Sequence, residues 1–334
     1  MSHPGAGWPE ALVPLFERAI TVEYTSLTAA GRPITVPITP YTRPDRRTLD
    51  VSTGLTYPAK AERARRNPRV SLLFADPVGS GLVDTPVVLV QGLATVRDAD
   101  LQANTDRYVR ETLAKVPEAF KGQPRFMLRR LNWYFARIWI EVTPMRMCWW
   151  PSKALDEEPR VWAAPEGTAA PPSDPLPPGK PPPAWLDPPG DWRAVARHAV
   201  SHLDQRDLSW VGDDGFPLAV PVLGVEELPD GFRLRLGPHV PAQPHGAACL
   251  TFHTHPSSFT NQENHTFVGE ISEAGLFRVE RVLGDVSLTG NKLSLGLGFL
   301  AKGRRLSPRL RSEAARRQQP VPAIRFAEES LRSR

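Results

Sequence analysis

Twelve prolines fall between Pro159 and Pro189, in runs such as Pro171-Pro172, Pro177-Pro178 and Pro181-Pro182-Pro183. Each proline fixes φ and lacks a backbone donor, so this stretch neither propagates a helix nor enters a central strand. It reads as an extended, largely polyproline spacer, about 3 Å per residue where straight. The 334-residue chain is therefore expected to divide into a domain at 1–150, a linker at 151–190 and a second domain at 191–334 that ends in a basic helix.

Composition narrows the class. Hydrophobic residues at 41% and charged residues at 23% are globular values. Apolar runs such as Leu295 to Ala301 are too short for a membrane span. Cys148 and Cys249 are the only cysteines, which excludes a disulfide scaffold and a four-cysteine zinc module. With no leader pattern at Met1-Ser2-His3-Pro4-Gly5, a reduced, cytoplasmic setting is expected. The net charge of +5 gathers near the C-terminus, around Arg304, Arg305, Arg309, Arg311, Arg316 and Arg317. No aromatic interleaving accompanies these arginines, so a solvated helix is expected rather than a nucleic-acid surface.

Before the spacer, Pro9 to Ala19 reads as a short amphipathic helix. Ile20–Thr28, Pro33–Thr42, Thr48–Thr53, Val70–Ala75, Val87–Val96 and Tyr134–Val142 read as strands, the last running on to Trp149-Trp150. Pro58–Arg66 and Asp98–Val116 read as helices. Many short strands and few helices predict a small antiparallel barrel.

The second half echoes the first. Gly31-Arg32-Pro33-Ile34-Thr35-Val36-Pro37-Ile38 aligns with Gly215-Phe216-Pro217-Leu218-Ala219-Val220-Pro221-Val222, with Gly, Pro, Val and Pro at identical spacing. The surrounding strands follow in the same order, which predicts a duplicated unit.

The stretch richest in chemistry is Ser52-Thr53-Gly54-Leu55-Thr56-Tyr57-Pro58-Ala59-Lys60, followed by a basic helix that Asn67-Pro68 stops. Hydroxyls, a lysine and the unpaired N–H groups of a helix start together suit an anion such as a phosphate.

These pieces, in this order, resemble the flavin-binding split-barrel superfamily, which includes pyridoxamine 5'-phosphate oxidase and the flavin/deazaflavin-dependent oxidoreductases. The resemblance rests on Gly31-Arg32-Pro33 with Val36-Pro37-Ile38, Ser52-Thr53-Gly54 with Lys60, Arg66-Asn67-Pro68-Arg69-Val70, Gln91-Gly92-Leu93-Ala94-Thr95-Val96 and the strand from Ile140 to Trp149. It implies a mainly β fold with helices (α+β) made of two tandem split β-barrels. It also implies that Ser52, Thr53 and Lys60 hold a cofactor phosphate, that Pro37, Ile38 and Thr39 lie along the flavin ring, and that Gln91 contacts ring or phosphate. The implied cofactor is FMN or coenzyme F420, the implied chemistry hydride transfer with a small organic substrate, and no catalytic acid or base is singled out. Ile38-Thr39-Pro40-Tyr41 stands where true pyridoxamine phosphate oxidases carry a Leu-Leu-Lys type motif, so that particular reaction is not implied.

In the second half the equivalent loop, Gly237 to Gly246, has neither lysine nor basic helix. One competent and one vestigial site in an intramolecular pseudo-dimer are expected. His253-Thr254-His255, with His245 and His265 nearby, is the best candidate for a metal or haem. No third ligand has a demanding spacing to them, so no metal is expected. Ser201-His202-Leu203-Asp204 lies too close in sequence to form a triad on one helix face. The alternative to an oxidoreductase is a non-enzymatic cofactor- or haem-binding protein on the same fold.

Overall fold

A computed structural model describes residues 7–183, 189–284 and 292–326. The first six residues, residues 184–188 of the spacer, residues 285–291 and the last eight residues lie outside the described ones. Along the chain come α1 (Val13–Arg18), β1 (Val22–Leu27), β2 (Pro33–Ile38), β3 (Tyr41–Thr42), β4 (Leu49–Gly54), α2 (Ala59–Arg66), β5 (Arg69–Phe74) and β6 (Val87–Arg97). Next are α3 (Leu101–Lys115), α4 (Arg125–Leu128), α5 (Asn132–Phe135), β7 (Arg137–Trp150) and β8 (Arg160–Ala163). The second half holds α6 (Trp192–His202), β9 (Gln205–Val211), β10 (Pro217–Pro221), β11 (Gly224–Leu228), β12 (Gly231–Arg235), β13 (Gly246–Thr254), β14 (Glu263–Ile271), β15 (Leu276–Val282) and α7 (Lys292–Arg316).

The fold is mainly β with helices, built on two antiparallel sheets. Their orders are β2-β1-β5-β6-β7-β4-β3 and β10-β9-β13-β14-β15-β12-β11, so both follow one path with each strand displaced by eight. The echo extends to irregularities. A bulge falls between Gln91 and Gly92 in β6, and another between Val268 and Gly269 in β14. Both bulges need glycine, because an added Cβ would sit 2.5 Å from the Thr143 carbonyl oxygen or 1.9 Å from that of Arg278.

The sheets pack reciprocally. β2 crosses β9, β13 and β14, while β10 crosses β1, β5 and β6. This explains why β5 reads as a continuous apolar run rather than an alternating one. Leu72 and Phe74 face the first core, whereas Leu73 and Ala75 face the second, so the strand is buried on both sides. At the seam, Thr35 of β2 is held by Thr25 Oγ1 (2.9 Å) and Ser209 Oγ, its carbonyl accepting from Thr251 (3.2 Å) and Thr266 (3.3 Å).

Three expectations change on folding. The run Pro33–Thr42 splits, because the chain leaves β1 after Ile38 and Tyr41-Thr42 pairs with β4 instead. The spacer is not wholly without strand: β8 pairs with the outer half of β7, an edge position that tolerates nearby prolines. Its described remainder is docked rather than loose, since Asp174 accepts from the Asp98 and Ala99 amides (both 2.8 Å) and Pro171 accepts from Thr95 (2.7 Å).

The C-terminal helix, expected as a solvated tail of the second half, packs on the first. Leu306, Leu310 and Ala314 of α7 join the first core. Beyond them Arg317 is buried in ion pairs with Asp98 (2.9 Å) and Glu313 (2.7 Å), and Arg316 pairs with Glu62. These arginines serve internal charge pairing, which removes them from any basic outer surface. No described helix is long and apolar enough to cross a membrane.

Candidate functional site

Two clusters stand out, one cationic at the end of β4 and one acidic at the seam between the sheets.

The first grows from the turn that joins β4 to α2. Tyr57 N–H donates to the Gly54 carbonyl (3.0 Å) and Thr53 Oγ1 to the Tyr57 carbonyl (3.0 Å), which folds the chain back on the strand end. Gly54 leaves room for the Tyr57 ring, whose edge would lie 2.6 Å from a Cβ there. Lys60, in the first turn of α2, sits half-buried with its Nζ 5.9 Å from the centre of that ring. Burial first, then the neighbouring charges of Arg63 and Arg137, lower its pKa to about 7.

Across the strands Gly54 pairs with Arg137 and Ser52 with Trp139, so Ser52, Gly54 and Arg137 share one face of the sheet. Arg137 is buried at 7% exposure, donates to the Tyr108 hydroxyl (2.9 Å) and stacks on the Tyr108 and Tyr134 rings at 4.2 and 4.9 Å. Its Nε has no partner. Arg63 donates to Ser26 Oγ (2.9 Å). Among the described residues no carboxylate pairs with Lys60, Arg63 or Arg137. Clustered, partly desolvated cations of this kind are the electrostatic signature of an anion seat.

The expected site residues divide accordingly. Ser52 shares the sheet face of Gly54 and Arg137, and Lys60 stands at the start of α2 beside Tyr57. Thr53 points the other way along the strand, and its hydroxyl is committed to the turn. Gln91 is spent between the sheets: its Nε2 donates to the Pro217 carbonyl (2.9 Å) and its Oε1 accepts from Arg146. In β2 alternate residues separate, with Ile38 packed against the first core and Pro37 lining a shallow cleft beside His253 and His255. Thr39 follows the strand, half-buried. Sequence reasoning missed Arg137. Its signal was an arginine opening the otherwise apolar Ile138-Trp139-Ile140.

The second cluster is the one the histidine pair leads to. Because Glu23 pairs with Pro37 and Asp207 with Pro221, the two acids occupy equivalent places in the two sheets. Both converge on His253, whose Nε2 lies 2.8 Å from Glu23 Oε1 and 3.6 Å from Asp207 Oδ2. All three are buried. The Glu23 contact is off the ring's N–H axis, so it is an ion pair rather than a directed hydrogen bond. Burial, and then Asp207, raise the Glu23 pKa to about 7. Burial alone would lower His253, but Asp207 and Glu23 outweigh it and raise the imidazole to about 10.

His255 is held separately, by Asp76 (3.0 Å) and Thr21 (2.8 Å), with its ring 6.5 Å from and nearly parallel to that of His253. The two imidazoles of the pair are thus held by different carboxylates, His253 by Glu23 and Asp207 and His255 by Asp76. His245 stands apart, bonded to the Gln243 carbonyl.

No known family profile matches the chain, and no curated protein matches it. Solved structures do. An F420 reductase aligns at 17% identity and TM-score 0.32, over 42% of this chain and 98% of that one. A Clostridium acetobutylicum protein related to general stress protein 26, of the pyridoxinephosphate oxidase family, aligns at 12% identity and TM-score 0.31, over 45% and 89%. The haem storage protein HutZ from Vibrio cholerae aligns at 15% identity and TM-score 0.28, over 47% and 93%.

Proposed function

We propose that this protein is a flavin- or deazaflavin-dependent oxidoreductase whose single competent site is the notch of Ser52, Lys60, Arg63 and Arg137. The observation that carries the reading is the set of three cations without a carboxylate partner. A folded chain tolerates such a set where an anion completes it, and the donors fit a phosphate: an ammonium, two guanidinium groups and a hydroxyl. The bound ring would supply hydride transfer, and the protein binding, orientation and exclusion of water. Tyr57, Tyr108 and Tyr134 would hold the cations in place by ring contacts.

On this reading the chain is a tandem duplication, each unit built on one sheet, with boundaries near residues 150 and 190. The second unit has lost its seat, because residues 236–245 join β12 to β13 without helix or lysine. The reciprocal crossing of β2 and β10 makes the chain its own pseudo-dimer. Two unpaired cysteines, Cys148 and Cys249, suit a reducing compartment such as the cytoplasm.

The test is a spectroscopic titration of purified protein with FMN and with coenzyme F420, alongside Lys60→Ala. One bound cofactor per chain is expected. The variant should lose about 1.5–3 kcal/mol of affinity, the worth of a hydrogen bond from a charged donor. Absence of binding by both cofactors, or unchanged affinity in the variant, refutes the assignment. Between the two cofactors, Arg65 argues little, since it is taken up by Asp98 at 2.8 Å.

A further inference from the structure

A third cluster lies outside both sites, where α6 crosses the second sheet. We propose that His198, Glu263 and His265 form a binding site for a divalent transition cation, with Zn²⁺ as the natural occupant. Glu263 and His265 stand two apart on β14 and so face the same side of the sheet. His198 reaches them from α6, which packs across β13, β14 and β15. The Nε2 atoms of His198 and His265 lie 2.6 and 3.0 Å from the same Glu263 oxygen, Oε1. All the ligand atoms fall within 4.8 Å of one another.

The donor types and number match an open zinc site. Two imidazoles and one carboxylate form a three-ligand set that leaves the fourth tetrahedral corner to water. With metal–ligand bonds of about 2.0–2.1 Å, neighbouring donors of a tetrahedron sit roughly 3.3 Å apart. The observed separations are slightly smaller, so admission of an ion needs only a small opening. The ligands are carried by a helix and a strand, the rigid elements that metal geometry requires. His202 stacks on His198 with ring centres 4.6 Å apart, and its Nδ1 is occupied by Ser201 Oγ (2.7 Å), so it orients the ligand ring rather than competing for the metal.

Access is graded. The side chain of His265 is 10% exposed, that of Glu263 21% and that of His198 44%, so the ion enters from the helix side. Glu263 also lines the cleft that holds Thr21, Pro37, His253 and His255. The metal site therefore adjoins the seam between the sheets and ties α6 to it, independently of whether the cationic notch binds a flavin.

The experiment uses the full chain stripped with chelator, titrated with Zn²⁺ by calorimetry and with Co²⁺ by visible spectroscopy. One ion per chain is expected, with the intense visible bands of tetrahedral Co²⁺ and a rise in melting temperature on Zn²⁺ addition. His198→Ala, at a position whose side chain is 44% exposed, should weaken binding at least about tenfold, as should His265→Ala. The control His245→Ala should bind as wild type does. Wild-type protein that takes up no Zn²⁺, or binding that survives His198→Ala undiminished, overturns the proposal.

Discussion

Replacing His253 by alanine tests the charge balance at the seam directly. Glu23 and Asp207 are 0% and 2% exposed, and the imidazolium is the only cation within ion-pair distance of either among the described residues. Removing one member of a buried ionic set typically costs about 3–5 kcal/mol, because the remaining charges are left uncompensated. For a protein of this size each kcal/mol moves the melting temperature by about 2–4 °C, so a fall of roughly 6–20 °C is expected in a scanning calorimeter. The partner test is the triple variant Glu23→Gln, Asp207→Asn, His253→Ala, which removes the uncompensated charge and should recover most of the loss. The sign with pH follows from the same groups. His253 and Glu23 both titrate higher in the folded protein than in the unfolded chain. The imidazolium's contribution is complete below about 6.5 and disappears as pH rises through about 10. Glu23 gives an analogous decline between about 4.5 and 7. Wild-type stability should therefore fall toward alkaline pH, and the decline between 7 and 10 should flatten in His253→Ala. A variant that melts with the wild type, or a triple variant no more stable than the single, would show that the seam does not depend on this charge set.

Other perturbations address separate parts of the molecule. Gly269→Ala pushes a methyl group into the Arg278 carbonyl, and Gly92→Ala pushes one into that of Thr143; each should cost about 1–3 kcal/mol or more by urea titration, Gly269→Ala the more. Leu306→Ala and Leu310→Ala should each destabilise by about 2–5 kcal/mol, read as earlier loss of protection in first-sheet amides by hydrogen exchange. Were α7 only a tail of the second half, those amides would be untouched. Gly54→Ala should displace the Tyr57 ring from Lys60 with little loss of stability, seen as reduced cofactor affinity at nearly unchanged melting temperature.

Much of this arrangement was legible in the sequence. The Gly-Pro-Val-Pro echo at residues 31–38 and 215–222 correctly aligned β2 with β10, because backbone turns and strand edges impose those residues locally. Alternating and β-branched patterns located nearly every strand of the first half. Ser52, Thr53 and Lys60 could be singled out together because they lie within a few residues of one turn. Opposite faces of a strand were harder: Thr53 and Ser52 look equivalent in one dimension, yet they lie on opposite faces of β4, and Thr53 Oγ1 is committed to the Tyr57 carbonyl.

What the chain's order could not disclose depends on contacts between distant residues. Arg137 meets Lys60 only because β4 pairs with β7, and Gln91 becomes a bridge only once β10 crosses β6. Glu23, Asp207 and His253 come from three strands of two sheets, and His198 reaches Glu263 only through the docking of α6. Local propensity and turn chemistry act over a few residues and are written in the sequence. Charge compensation and metal geometry act through space, so they are decided when the sheets close on each other.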